Sequence, residues 1–227
     1  MRISWASDSC LRISLGSDTS IEAHRRVRAA YARLRHARIP ALSDITPAYS
    51  SILVTFDPLS LEPDSAESSV TELLRDVKAD PDEAGSRLIE LPVCYEGECA
   101  PDIVEVARLH SMTAADVAVM HSGVEYTVHF IGFSPGFLYM GGLPSRLVTP
   151  RLEKPRIRVP AGSVGIASAQ TGVYPHATPG GWRLIGRTPV TLFNAAADPP
   201  SPLAMGDRVR FVPISLQRFH SIQDGVA

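Results

Sequence analysis

The sequence lacks most features that would identify a protein at a glance. It has no excess of charge: 22 Lys and Arg against 24 Asp and Glu leave a net charge of −2 over 227 residues. That balance excludes the broad basic field that holds nucleic acid or an anionic membrane surface. No apolar run approaches the ~20 residues needed to cross a bilayer. The opening MRISWASDSCLRISLG carries Asp8 and Arg12 where a signal peptide needs a continuous apolar core, so a cytoplasmic protein is expected. The three cysteines, Cys10, Cys94 and Cys99, are too few and odd in number for a disulfide framework. The pair in CYEGEC has no neighbouring histidine or further cysteine, so it makes a poor zinc site, and reduced structural or surface cysteines are expected. The standard chemical motifs are also missing. There is no GxxxxGK[ST], no GxGxxG after a strand, no GxSxG and no HExxH. If a nucleotide is used, this chain shows no standard cradle for it, and no metal site is expected.

What is present has two textures. Residues 1–85 alternate strand-like and helix-like segments. Ile3 to Trp5 and Cys10 to Leu15 read as strands around a polar turn. Thr19-Ser20-Ile21-Glu22 fits a capping box with Thr19 as the cap, opening a helix to about Ala37 on Val27, Ala30, Tyr31 and Leu34. Ser43 to Ala48 and Ser51 to Phe56 are further strands. Val70, Leu73, Leu74 and Val77 mark a second helix, ended near Asp80-Pro81. The order predicts a small α+β domain, its sheet covered on one face by two helices. Arg25, Arg26, Arg28, Arg33, Arg35 and Arg38 line the first helix and its end. They read as a solvated face, since the aromatic interleaving of a single-strand binder is missing.

Residues 86–227 open with a strand at Arg87 to Val93 and two short helices. One starts at Pro101-Asp102. The other starts at a capping box, Thr113 to Asp116, and runs to about His121. Short β-like runs broken by Gly and Pro follow: Tyr126 to Phe130, Arg156 to Pro160, Ser163 to Ala167, Trp182 to Thr188, Val190 to Phe193 and Asp207 to Pro213. Such spacing predicts a sandwich or barrel.

Three stretches can carry chemistry. VHFIGFSPGFLYMGGLP, residues 128–144, sets Phe130, Phe133, Phe137 and Tyr139 in Gly/Pro-rich text, which suits either a rigid aromatic wall or a barrel corner whose rings fill the core. Residues 149–175 cluster Arg151, Lys154, Arg156 and Arg158. An arginine fork matches carboxylate or phosphate, although exposed charge on alternating strand positions explains the cluster equally. In residues 174–189, Pro179-Gly180 suits a type II turn, Trp182 enters a strand, and Gly186 marks a bulge or a close approach. His129 and His176 are the weak candidates for an acid or base. His129 also fits a core or rim residue, and His176 a solvated loop residue.

Together these stretches resemble the allophanate hydrolase subunit 1 family, which includes the B subunits of bacterial 5-oxoprolinases and KipI-type kinase inhibitors. The family pattern GFxPGFxYxxGL stands at 132–143 as GFSPGFLYMGGL. The long pattern PRxxxPRxxVPAGSVGIAxxQTGxYPxxxPGGWxxIGRTP stands at 150–189, and GDxVxF stands at 206–211 as GDRVRF. With EYTVHFIGF and the looser first half, the resemblance spans nearly the whole chain. It implies an α+β N-terminal domain, residues 1–85, followed by a cyclophilin-like β-barrel domain, residues 86–227. It implies a B subunit that works with a homologous cyclophilin-like C subunit and a lactam-utilisation A subunit to open 5-oxo-L-proline to L-glutamate, with ATP and Mg serving the assembled complex. The residues expected at a small acidic lactam are Phe133, Tyr139, Arg151, Arg156, Gln170, Tyr174 and Trp182. Two other roles share the motifs: a KipI-like inhibitor of a sensor histidine kinase, and an allophanate hydrolase or urea carboxylase component, although the Ser/Lys arrangement of an allophanate amidase is not found.

Overall fold

Alternating burial builds the first sheet. In β2 (Cys10–Ser14) Leu11 and Ile13 are buried, and in β4 (Ser51–Phe56) Ile52, Val54 and Phe56 are. A period of two puts each set on one face. These strands pair antiparallel with β1 (Arg2–Trp5) and β3 (Leu42–Pro47) in the order β1-β2-β4-β3. Two helices, α1 (Ile21–His36) and α2 (Pro63–Leu74), contact each other and bring apolar stripes: Val27, Ala30 and Leu34 from one, Ala66, Val70 and Leu74 from the other. The arginines of α1 lie on its outer side, with Arg26 paired to Glu22 and Arg35 over the Tyr31 ring at 5.8 Å.

The computed structural model describes residues 1–18, 20–79 and 86–225. The chain divides into two compact units, Met1–Ala84 and Gly85–Ala227. Thr19, the expected cap of α1, lies outside the described residues. Ser20 fills the N-cap position, its hydroxyl accepting from the Ala23 N–H at 3.2 Å. The second helix ends at Leu74, short of the expected Asp80-Pro81, which also lies outside the described residues.

The second unit is a closed barrel with helices. Its strands are β5 (Leu88–Cys94), β6 (Glu125–Ile131), β7 (Leu138–Gly141), β9 (Ser163–Ala167), β10 (Gln170–Val173), β12 (Arg183–Arg187) and β13 (Arg208–Ile214), in the order β10-β7-β6-β13-β5-β12-β9 with β9 returning to β10. β13 runs parallel to β5 and antiparallel to β6. A separate ribbon joins β8 (Arg156–Val159) to β11 (Thr178–Gly180). α3 (Ile103–Leu109), α4 (Ala114–Ser122) and α5 (Leu216–Gln223) complete the unit. This is the cyclophilin-like barrel that the resemblance implies.

Local chemistry fixes the joints. The Thr113–Asp116 capping box forms, with the Asp116 N–H donating to Thr113 Oγ1 at 3.1 Å and the Thr113 N–H donating to Asp116 Oδ2 at 2.9 Å. Asp207, from the GDRVRF motif, is 4% exposed and receives Arg87 Nη2 at 2.5 Å, which ties the start of β13 to the start of β5. Val190 to Phe193, expected as a strand, is not one. Pro189 has no N–H to give a ladder, and the Val190 N–H donates instead to Thr188 Oγ1 at 3.2 Å. Pro179-Gly180 is not a type II turn but part of β11, where Thr178 faces Val159 and Gly180 faces Arg156. The bulge expected at Gly186 is present as a register shift between Leu184 and Gly186.

The barrel interior is mainly apolar, and it also holds one satisfied polar chain. His121 is wholly buried in it. Its Nδ1 lies 2.8 Å from Tyr95 Oη and its Nε2 lies 2.9 Å from Thr171 Oγ1. Thr171 Oγ1 donates its one proton to the Gly165 carbonyl at 3.1 Å. His121 therefore donates from Nε2 to Thr171 and accepts at Nδ1 from Tyr95. Phe211 stacks on the ring at 4.7 Å. Burial pushes the His121 pKa down to about 3, so the imidazole is neutral. Cys94 and Cys99 are free thiols, both buried, packed against Phe219 of α5.

Candidate functional site

The site grows from the outer face of three barrel strands. Leu138, Met140 and Val173 point into the barrel core, so the intervening Tyr139 and Gly172 face outward. Gly172 leaves a flat floor. A Cβ there would stand 2.7 Å from the Leu138 carbonyl oxygen, 2.9 Å from Trp182 and 3.1 Å from Phe137. Two rings lie where that side chain would be. Phe137 meets Trp182 edge-on at 5.5 Å, Tyr174 edge-on at 4.9 Å and Tyr139 at 4.7 Å. Phe137, Tyr174 and Trp182 form the centre of a second apolar cluster, distinct from the barrel interior. The aromatics of residues 128–144 thus divide: Phe137 fills this outer cluster, while Phe133 is exposed beside it and Phe130 stacks on Tyr139 at 4.5 Å.

The β8–β11 ribbon makes the opposite wall. Tyr174 Oη presses on Gly180 so closely that no side chain fits there. The ribbon is clamped by charge. Asp102, 5% exposed at the head of α3, accepts from Arg156 Nη2 at 2.6 Å and from the Leu184 N–H at 2.6 Å. Because its carboxylate is engaged there, Asp102 makes no side-chain cap on α3. Arg183 pairs with Glu105 at 2.5 Å.

Between the walls lies an open pocket of about 340 Å³, near the small end for ligand sites. Phe133, Tyr139, Arg151, Tyr174 and Trp182, all expected at a ligand, line it. Phe137, Pro155, Pro179, Gly180 and Gly181 complete the lining. Arg151 is exposed, with its guanidinium 5.9 Å from the centre of the Trp182 ring. Among the described residues lining the pocket it is the sole cation, and none is an acid or an imidazole. Phe133 stands at the mouth, 64% exposed, in left-handed backbone with φ 65°. A bulky side chain rarely adopts that conformation, which costs about 1–3 kcal/mol and clusters at functional positions. Burial raises the pKa of Tyr139, and Arg151 pulls it back in part. Burial pushes Tyr174 up to about 12 against a backbone hydrogen bond from Trp182. Both hydroxyls therefore stay protonated at neutral pH and can donate.

Four other expected residues lie elsewhere. Arg156 begins β8 of the wall but is outside the pocket lining, paired through Nη2 with Asp102. Gln170 is half-buried at the start of β10, outside the lining. His129 is 3% exposed at a bulge in β6, with its ring against Gly141, and burial lowers its pKa to about 4. His176 meets Phe193 edge-on at 5.9 Å, away from the pocket. The residues without a signal in the sequence are Pro155 and Gly181, which shape the wall, and Asp102, which holds it, while Gly180 was expected in a turn and lies in the wall instead. Nothing in the spacing linked Asp102 to Arg156, 54 positions away.

Residues 1–203 match the carboxyltransferase domain, subdomain C and D. The chain is 38% identical over 98% of its length to the 5-oxoprolinase B subunit of Bacillus subtilis, covering 97% of that protein. It is 56% identical over 58% of its length to the 5-oxoprolinase B subunit of Escherichia coli O157:H7, covering 60% of it. The chain belongs to the family of 5-oxoprolinase B subunits. Among solved structures, TTHA0988 superposes with a TM-score of 0.79 at 34% identity over 91% of this chain, which spans 40% of TTHA0988. The urea amidolyase of K. lactis superposes at 0.80 with 19% identity over 98% of this chain, which spans 15% of it, and shares the fold alone.

Proposed function

We propose that this chain is the B subunit of an ATP-dependent 5-oxoprolinase, which opens 5-oxo-L-proline to L-glutamate and is inactive without C and A partner subunits. The observation that carries the reading is the pocket itself: aromatic walls, two neutral tyrosine hydroxyls and one arginine, in a chain 38% identical to a 5-oxoprolinase B subunit over 98% of its length. The substrate is a small five-membered lactam with a single carboxylate. The walls match its ring, Arg151 matches its carboxylate, and Tyr139 or Tyr174 can donate to its carbonyl oxygen.

This chain's part is to bind, orient and exclude water. ATP with magnesium would activate the lactam amide in the assembled complex. The residues here do not fit that group. Among the described residues no cluster of three or more His, Cys, Asp or Glu could hold a metal ion, and one arginine on an aromatic wall is not a triphosphate cradle. The acid or base is assigned to a partner subunit, because neither His129 nor His176 reaches the pocket. The test is reconstitution with C and A subunits. Phosphate release dependent on 5-oxo-L-proline is expected. Its absence from a correctly assembled complex would count against the reading. Inhibition of a sensor kinase by the isolated chain would favour the KipI-like role instead.

A further inference from the structure

We infer that the pocket of this chain distinguishes the closed ring from its opened product, holding five-membered-ring monocarboxylates and releasing the acyclic amino dicarboxylate. The inference rests on the assignment of this pocket to the lactam, and it concerns binding by this chain alone. The surface supplies one positive charge, at Arg151, and the remaining lining is rings, prolines, glycines and two protonated phenols. A ring acid has one negative charge and two apolar faces. Trp182 and Tyr139 meet edge-on at 5.8 Å, so one face of such a ring can lie on this aromatic surface while its carboxylate meets the guanidinium lying over Trp182.

Opening the ring reverses each of these matches. Hydrolysis breaks the C–N bond of the lactam, and water supplies OH to the carbonyl carbon and H to the nitrogen. At neutral pH the product carries a second carboxylate and an ammonium. The second carboxylate finds no second cation among the described residues of the lining, and Arg156 of the ribbon is paired through Nη2 with Asp102 at 2.6 Å. The ammonium finds no acceptor carboxylate among the described residues lining the pocket. The ring faces can attract the ammonium but not the second carboxylate, which lies against aromatic surface without a partner cation and disfavours binding. The selectivity lies in the ring and the single charge, not in the amide. An aromatic ring acid that cannot be hydrolysed, pyrrole-2-carboxylate, is therefore expected to occupy the same place.

The chain has two tryptophans, Trp5 and Trp182, and only Trp182 lines the pocket. In a Trp5→Phe background the full chain reports from the pocket by its fluorescence. Titration with 5-oxo-L-proline and with pyrrole-2-carboxylate is expected to give saturable signals, each with a dissociation constant at least tenfold below that of L-glutamate. Arg151 is exposed, so Arg151→Met leaves the fold intact and is expected to weaken both ring acids about tenfold or more. Equilibrium dialysis of labelled 5-oxo-L-proline against the unmodified chain checks the result without the fluorophore. Equal affinity for glutamate, or no ring-acid binding by either method, overturns the inference. Phosphate release by the reconstituted complex is a separate readout. A complex that turns over while the isolated chain fails to discriminate would sink this inference and leave the functional assignment standing.

Discussion

Gly172 is where one missing side chain decides a site. Its Cβ would press on the Leu138 carbonyl, Trp182 and Phe137 together, and the backbone carbonyl cannot give way. Gly172→Ala is expected to cost about 1–3 kcal/mol. The thermal midpoint should fall, and Trp182 emission should shift as the ring leaves the floor. The two buried histidines make a second expectation. His121 and His129 have pKa values pushed down by burial to about 3 and about 4, against 6.5 when unfolded. Below pH 6.5 the unfolded chain binds protons that the folded one refuses, so their contribution to stability is complete above pH 6.5 and is lost as pH falls toward 4. Each histidine adds a slope of about 1.4 kcal/mol per pH unit in that window. Urea titrations at pH 7, 6 and 5 measure it. A His121→Gln variant with an unchanged slope would show that this histidine is not the sensor.

At the scale of elements, the β8–β11 ribbon depends on the Asp102–Arg156 pair. Asp102→Ala leaves a partly buried guanidinium without its carboxylate and the Leu184 N–H without its acceptor, at a cost of roughly 3 kcal/mol. Adding Arg156→Met should recover part of it, since removing both partners strands no charge. Equal stability of the single and double variants would contradict the clamp. The sequence made the elements with local signals legible. Thr113 and Asp116 announced α4, and the alternation of Ile52, Val54 and Phe56 announced β4. It hid those held by distant partners. β7 read as part of a Gly-rich wall and β10 fell within the arginine-bearing stretch, because Gly141 and Gly172 look like breakers, although each is a strand position crowded by a ring from elsewhere. Val190 to Phe193 misled in the other direction, since its apolar text fits a strand and only Thr188 shows why its amide does not join one.

At the scale of the whole molecule, five of the seven residues expected at a ligand line one pocket, because the motif that carries them folds back on itself through β7, β10 and the ribbon. Arg156 was indistinguishable from Arg151 in the text: both are arginines beside prolines. Only the approach of α3 separates them, turning one into a structural ion pair and leaving the other free for the pocket. An incomplete site, with binding groups and no base, is what one component of a larger enzyme would present. The most direct measurement is substitution: place this chain in the B. subtilis 5-oxoprolinase complex instead of the native B subunit, and follow glutamate formed from 5-oxo-L-proline together with phosphate released from ATP. Coupled production of both is expected, with Arg151→Met raising KM at least tenfold and changing kcat little. Assembly of the hybrid complex without any glutamate formation would contradict it.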